Sequence, residues 1–187
     1  MTNAALAAER GTTRWTIDPT HTDVEFGVRH LMISTVKGRF GGVEGTVTLP
    51  HGDAVKAQID ISIDATSLDT RVQQRDDHLR SPDFFDVARF PKLTFKSRRV
   101  ERTGTDTLRV IGDLTIRDVT REVPLEVREL GTVRDPWGGE RAGFSASARI
   151  NRRDFGLNWN QALEAGGVLV GEDVAIRLEV ELIRQAD

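Results

Sequence analysis

Apolar and polar residues alternate along most of the chain, the mark of strands with one face in a core and the other toward water. In TDVEFGVRH (residues 22–30), Val24, Phe26, Val28 and His30 share one face, and Asp23, Glu25 and Arg29 take the other. Residues 40–49 place Val43, Gly45, Val47 and Leu49 together. Residues 54–64 set Val55, Ala57, Ile59, Ile61 and Ile63 against Lys56, Gln58, Asp60, Ser62 and Asp64. Residues 92–97, 108–116, 122–127, 144–150 and 174–183 repeat the pattern, making eight predicted strands. Val100 falls out of phase with Leu93 and Phe95, which predicts a bulge or a strand end there. Pro124 faces away from Val123 and Leu125 and implies a gap in one hydrogen-bond ladder.

Short turn-like links, such as Pro50-His51-Gly52-Asp53 and Asp135-Pro136-Trp137-Gly138-Gly139, join these segments. Many strands with short links predict an antiparallel meander, closed as a barrel or folded as a sandwich. Period alone does not choose between them. Eight strands is roughly the number at which a closed barrel can fill itself or hold one small ligand.

The exception lies between residues 67 and 87. Leu68, Val72 and Leu79 recur at helical spacing, and Thr70 with Gln73 has the spacing of a capping box. Ser81-Pro82-Asp83 reads as a second helix start carrying Phe84 and Phe85, and a weaker helical piece is expected at Met32–Ser34. Adjacent residues on a helix point about 100° apart, so Phe84 and Phe85 are both buried only against a surface that wraps around them. Such an element is either a plug in a packed barrel or a lid over an apolar tunnel. The inward positions fit both. Gly45, Ala57, Ser97, Gly112, Ala146 and Ala148 are small, while Phe26, Phe40, Phe95 and Phe144 are large enough to oppose them.

Charge and composition narrow the function. Lysine and arginine number 26 against 29 acids, a net charge of -3 with mixed signs, which recommends neither nucleic acid nor an anionic membrane. No apolar run reaches the length of a membrane span, so no stable membrane insertion is expected. Residues 1–13 lack periodicity and read as a disordered lead before a single domain at 14–187. They show no secretory leader, and the chain is expected in the cytoplasm. Cysteine is absent, which removes disulfides and thiolate chemistry.

The four histidines, His21, His30, His51 and His78, lack the short paired spacing of zinc ligands, and no metal or other cofactor is expected. No nucleophile elbow, phosphate loop or dinucleotide fingerprint occurs. His30 shares the inward phase of Phe26 and Val28. It suits a buried polar anchor for a ligand head group or, in a lipid-modifying enzyme, a general acid or base oriented by a carboxylate. Arg39 is a second candidate for the head group, and His21 reads as a turn residue.

Four blocks then carry a resemblance: WTIDPTHTDVEFGVRHLMISTVKGRFGGVEGTV, DDHLRSPDFFDVARFPKLTFKS, GDLTIRDVTREVPLEV and INRRDFGL, in order from Trp15 to Ile183. They resemble the signature blocks of the YceI-like family of polyisoprenoid-binding proteins. The resemblance implies an eight-stranded antiparallel lipocalin-like β-barrel with a helix packed over it, a homodimer, and an apolar tunnel for a long-chain amphiphile. The ligand classes it implies are polyisoprenoids, isoprenoid quinones and fatty-acid derivatives. On that reading HLRSPDFFD closes one side of the tunnel, and no catalytic residue is required. The expected ligand contacts are Phe26, Val28, His30, Phe40, Leu79, Phe84, Phe85, Phe95, Leu114, Ala146, Phe155 and Trp159. The charges of residues 151–154 are expected to hold a corner by ion pairing.

Overall fold

The computed structural model describes residues 11–186. The first ten residues of the predicted lead lie outside that range, and Thr13 already belongs to a strand. The strands are β1 (Thr13–Ile17), β2 (Asp23–His30), β3 (Ser34–Phe40), β4 (Val43–Leu49), β5 (Gln58–Asp64), β6 (Leu68–Asp69), β7 (Lys92–Arg102), β8 (Thr107–Ile116), β9 (Val119–Arg134), β10 (Glu140–Asn151) and β11 (Val170–Arg184). One α-helix, α1 (Gln73–Arg80), lies between β6 and β7.

All pairings are antiparallel, and the sheet closes where Trp15, Thr16 and Ile17 of β1 meet Arg184, Ile183 and Leu182 of β11. β1 and β2 run along the same edge of β11, so they act as one stave broken at residues 18–22. β3 and β4 pair with them in turn and form a second stave, broken at Gly41 and Gly42. The remaining staves are β5, β7, β8, β9, β10 and β11, so the eight alternating segments form a closed eight-stranded barrel. β6 is a two-residue addition to the edge of β3.

The bulge expected near Val100 falls between Ser97 and Arg99, where the β7–β8 register shifts and Val100 turns inward. The gap expected at Pro124 falls on one side only: Ile111 and Pro124 stay opposite each other in β8–β9, whereas the β9–β10 pairing ends at Glu126. The proline leaves the β8–β9 register intact.

Three helical expectations fail for local reasons. At Met32–Ser34 the chain makes a left-handed hairpin turn, with φ of 51° at Leu31 and 59° at Met32, and Ser34 already starts β3. Around residues 67–72 the capping box does not form. Instead, the buried Asp76 carboxylate accepts the Thr70 amide at 2.9 Å and its hydroxyl at 2.5 Å, while Arg75 Nε donates to the same hydroxyl at 2.7 Å. These bonds hold residue 70 outside the helix, so α1 begins at Gln73, Leu68 becomes a strand residue and Val72 is exposed. After Pro82 the chain forms turns. Phe85 N–H folds back to Leu79 O at 2.9 Å, Val87 N–H to Arg80 O at 3.0 Å, and buried Asp86 takes a left-handed φ of 48°.

The break between β1 and β2 is stabilised by a polar knot. Buried Asp18 accepts Thr20 N–H (2.9 Å), Thr20 Oγ1 (2.6 Å) and Arg141 Nη1 (2.7 Å), and its carboxylate pairs with His21 Nδ1 at 2.9 Å. Arg141 also donates to Glu181 and, through Nε, to Asp135 at 3.0 Å. β10, β11 and the β1–β2 break are thereby tied together beside the ring closure.

Glycines let aromatic rings lie along the wall. A Cβ on Gly38 would stand 2.3 Å from Phe26 Cζ and 2.8 Å from Thr70 Cγ2, and one on Gly112 would stand 2.5 Å from Phe95 Cζ. Each ring covers a neighbouring glycine instead of crossing the lumen.

Two outcomes are expected. Gly38→Ala forces Phe26 off its strand and should destabilise the fold by about 1–3 kcal/mol, read as a lower Tm; an unchanged Tm contradicts this packing. Hydrogen bonds from Thr20 and His21, with one from Arg141, hold the Asp18 carboxyl well below the usual carboxylate range. Its contribution is therefore present above the unfolded pKa of about 4 and is lost as pH falls through the lower folded value. Asp18→Asn should cost about 1–3 kcal/mol at neutral pH in urea denaturation, and its deficit from wild type should shrink on acidification below about pH 4.

Candidate functional site

The barrel is hollow. A cavity of about 800 Å³ runs along its interior, from Gly52 and Ala54 beneath one end to Gln74 and Leu169 at the other. That volume lies in the upper part of the range of about 300–1,000 Å³ that holds one small molecule. The wall is almost wholly apolar because the inward phase of every long strand is aliphatic or aromatic, as with Ile59, Ile61 and Ile63 of β5 and Ile176, Leu178 and Val180 of β11. At the Gly52 end, Ala54 packs against the cluster of Phe95, Val100, Leu108 and Val110.

α1 and the turns after it close the other end. The helix is polar apart from Leu79, which lines the cavity. It is fastened by hydrogen bonds more than by grease: Arg80 donates to Leu68 O (2.5 Å) and Thr66 O (3.2 Å), and Arg75 donates to Thr70 O (2.8 Å). Phe84 and Phe85 diverge into separate aromatic groups, although they sit in turns and not on the expected helix. Phe85 meets Phe40 edge-on at 5.7 Å, and Phe40 packs on Phe26 at 5.5 Å. Phe84 lies 5.5 Å from Trp159, and the His78 ring stands edge-on to both, at 5.1 and 4.6 Å. Edge-to-face geometry at these distances adds about 0.5–1.5 kcal/mol per pair beyond area burial.

Buried Arg152 positions Trp159. Its guanidinium donates to the carbonyls of Gly171 (2.8 Å), Leu157 (2.5 Å), Trp159 (2.9 Å) and Val170 (3.3 Å), fixing the 157–159 segment against β11. Burial pushes its pKa down from the ordinary arginine value, with the neighbouring Arg153 adding to the effect. The corner expected to be held by ion pairs is thus held by carbonyls at Arg152, while Arg153 pairs with Glu172 at 2.8 Å as expected. Phe155, at 2% exposure, anchors the same corner in the core.

All twelve residues nominated from the sequence lie on the cavity wall. Arg39 does not: it is exposed and pairs with Asp69 at 3.4 Å. His30 lines the α1 end, and its ring pairs with no carboxylate among the described residues. His21 is the turn residue it was expected to be, bonded to Asp18. Its ring, Asp18 and Glu181 lie close enough to share a cation, and the Arg141 guanidinium already occupies that position. Sequence reasoning missed Gln74, Arg75 and His78 as polar members of the wall, and Trp15 and Leu169 as apolar ones. Arg75 was within reach, since it lies four residues before Leu79 and shares its helical face.

Three comparisons place this architecture. A UPF0312 protein of Staphylococcus aureus (strain N315) is 36% identical over 170 residues, covering 90% of this chain and 96% of the relative. Among solved structures, Burkholderia cenocepacia BcnA shares the fold with a TM-score of 0.77 at 21% identity, covering 88% of this chain and 98% of that one. A polyisoprenoid binding domain from Saccharophagus degradans shares it with a TM-score of 0.65 at 16% identity, covering 90% and 97%. The YceI-like domain matches residues 15–182, and together with the closed hollow barrel this establishes that the chain belongs to the YceI-like family.

Proposed function

We propose that the protein binds and carries one long-chain amphiphile, a polyisoprenoid, isoprenoid quinone or fatty-acid derivative, without chemically altering it. The observation that carries the reading is an apolar cavity of about 800 Å³ inside a closed barrel whose Phe26 and Phe95 rings lie along the wall. Transfer of each methylene from water into such a space gains roughly 0.8 kcal/mol before ordering costs are subtracted. The description of the Saccharophagus degradans domain as polyisoprenoid binding agrees with this chemistry on the same fold.

Among the polar side chains of the wall, His30, Gln74, Arg75 and His78 lie at the α1 end, where they would meet the head group while the tail runs toward Ala54. An enzymatic reading centred on His30 would want a carboxylate to orient the ring, and none is bonded to it among the described residues. We further propose that the carrier is a homodimer serving the cytoplasmic side of a membrane. Light scattering during gel filtration tests the first point, and fractionation of the native host tests the second.

The central test is mass spectrometry of an organic extract of the purified protein, which should release one prenyl or acyl species per cavity. Absence of such a species, together with no uptake of added long-chain lipid, rejects the carrier reading. Ala146→Phe should occupy the lumen and lower lipid affinity at least tenfold while circular dichroism still reports a barrel. His30→Gln should leave tail binding within a few-fold of wild type; if it instead abolishes conversion of a bound lipid, the protein is an enzyme.

A further inference from the structure

Eight large apolar side chains are strongly exposed among the described residues, and four of them, Met32, Ile33, Val72 and Val168, come from the three segments that border the α1 end of the cavity. Ile33 is 79% exposed and Met32 56%, at the very tip of the β2–β3 hairpin. The tip is held in place. Leu31 N–H donates to Leu169 O at 2.9 Å, Ile33 N–H donates to His30 O at 3.2 Å, and Arg29 Nη2 donates to Met32 O at 2.7 Å. Leu31 and Met32 both sit in the left-handed region, a conformation that costs non-glycine residues energy and here aims their neighbours outward. Val72 leads into α1, and Val168 precedes Leu169, so the exposed groups stand around an opening instead of forming one flat patch.

Cations accompany them. Arg29, Lys37, Arg71 and Arg75 belong to the same end, and none makes a salt bridge among the described residues. The neighbouring acids are largely taken: Asp69 pairs with Arg39, and Asp77 with Arg80. Of the acids at this end without a salt bridge, Asp76 is buried against Thr70, and Glu25, Asp154 and Glu164 remain, so the cations beside the hairpin tip keep no ionic partner of their own.

The geometry points to this rim as a docking surface for an anionic lipid bilayer, with Met32 and Ile33 entering the head-group boundary and the exposed Arg29, Lys37 and Arg71 facing lipid phosphates. The inference rests on the carrier reading for its purpose, since a mouth pressed to a bilayer lets an apolar tail pass into the barrel without crossing water. The balanced whole-chain charge hides these four cations, which come from β2, β3, the turn before α1 and α1 itself. Apolar tips plus basic residues is the combination that binds interfaces reversibly, without insertion across them.

Vesicle flotation tests it, using phosphatidylcholine vesicles with and without phosphatidylglycerol. The full chain should float with anionic vesicles, less so at high salt, and poorly with neutral ones. Lys37→Gln with Arg71→Gln should weaken binding roughly thirtyfold, as two charges at about 1 kcal/mol each would. Met32→Glu with Ile33→Glu should weaken it at least tenfold, whereas Leu130→Glu with Val133→Glu, on exposed positions of β9, should not. Failure to float with anionic vesicles, or flotation unchanged by the hairpin substitutions, overturns the docking surface. Lipid uptake from detergent micelles separates the two readings: the hairpin variant should still take up lipid, and Ala146→Phe should still float.

Discussion

Three residue pairs, Trp15 with Arg184, Thr16 with Ile183 and Ile17 with Leu182, turn a twisted sheet into a vessel. With β1 joined to β11, the row of staves has no open end, and most of its backbone polar groups are paired within the wall. The interior can then be apolar throughout without leaving an amide exposed to grease. Left open, the same sheet would present a continuous oily face that could only collapse or aggregate. The Asp18–Arg141–Glu181 knot stands beside this seam and braces β10 and β11 against the break between β1 and β2.

Closure makes an interior but does not decide whether it is empty. That depends on where the large side chains rest. Phe26 lies over Gly38 and Phe95 over Gly112, so two of the largest inward residues thicken the wall and spare the lumen. Phe40 and Phe85 join Phe26 in one aromatic group, while Phe84, His78 and Trp159 form another, and Arg152 holds the Trp159 segment in place. The cavity is therefore a consequence of pairing small with large along the sheet, where a packed barrel would pair them across it.

The staves were legible because alternation is a local property, and each of the eight alternating segments became one. The elements at the cavity's end were less so, because specific hydrogen bonds between residues six or seven positions apart override the helical pattern. Thr70 looked like a helix cap, but the Asp76 carboxylate claims its amide and hydroxyl and keeps it out of the helix. Ser81-Pro82-Asp83 had the local grammar of a helix start, yet Phe85 and Val87 turn back to carbonyls of α1 instead. Arg39 could not be assigned a face from its own segment, where Phe40 begins the alternation; in the barrel it reaches Asp69 outside. Hollowness was beyond reach of periodicity, which reports that Gly112 faces inward but not which ring will cover it.

Arg152 constrains how the corner at residues 151–171 can vary. Four carbonyl oxygens, from Gly171, Leu157, Trp159 and Val170, surround one planar guanidinium. An ammonium offers three donors radiating from a single atom and could not reach that spread of acceptors. Lysine is therefore no substitute for arginine at this position: conserving the charge would leave carbonyls stranded away from water, and the indole they help seat would lose its footing.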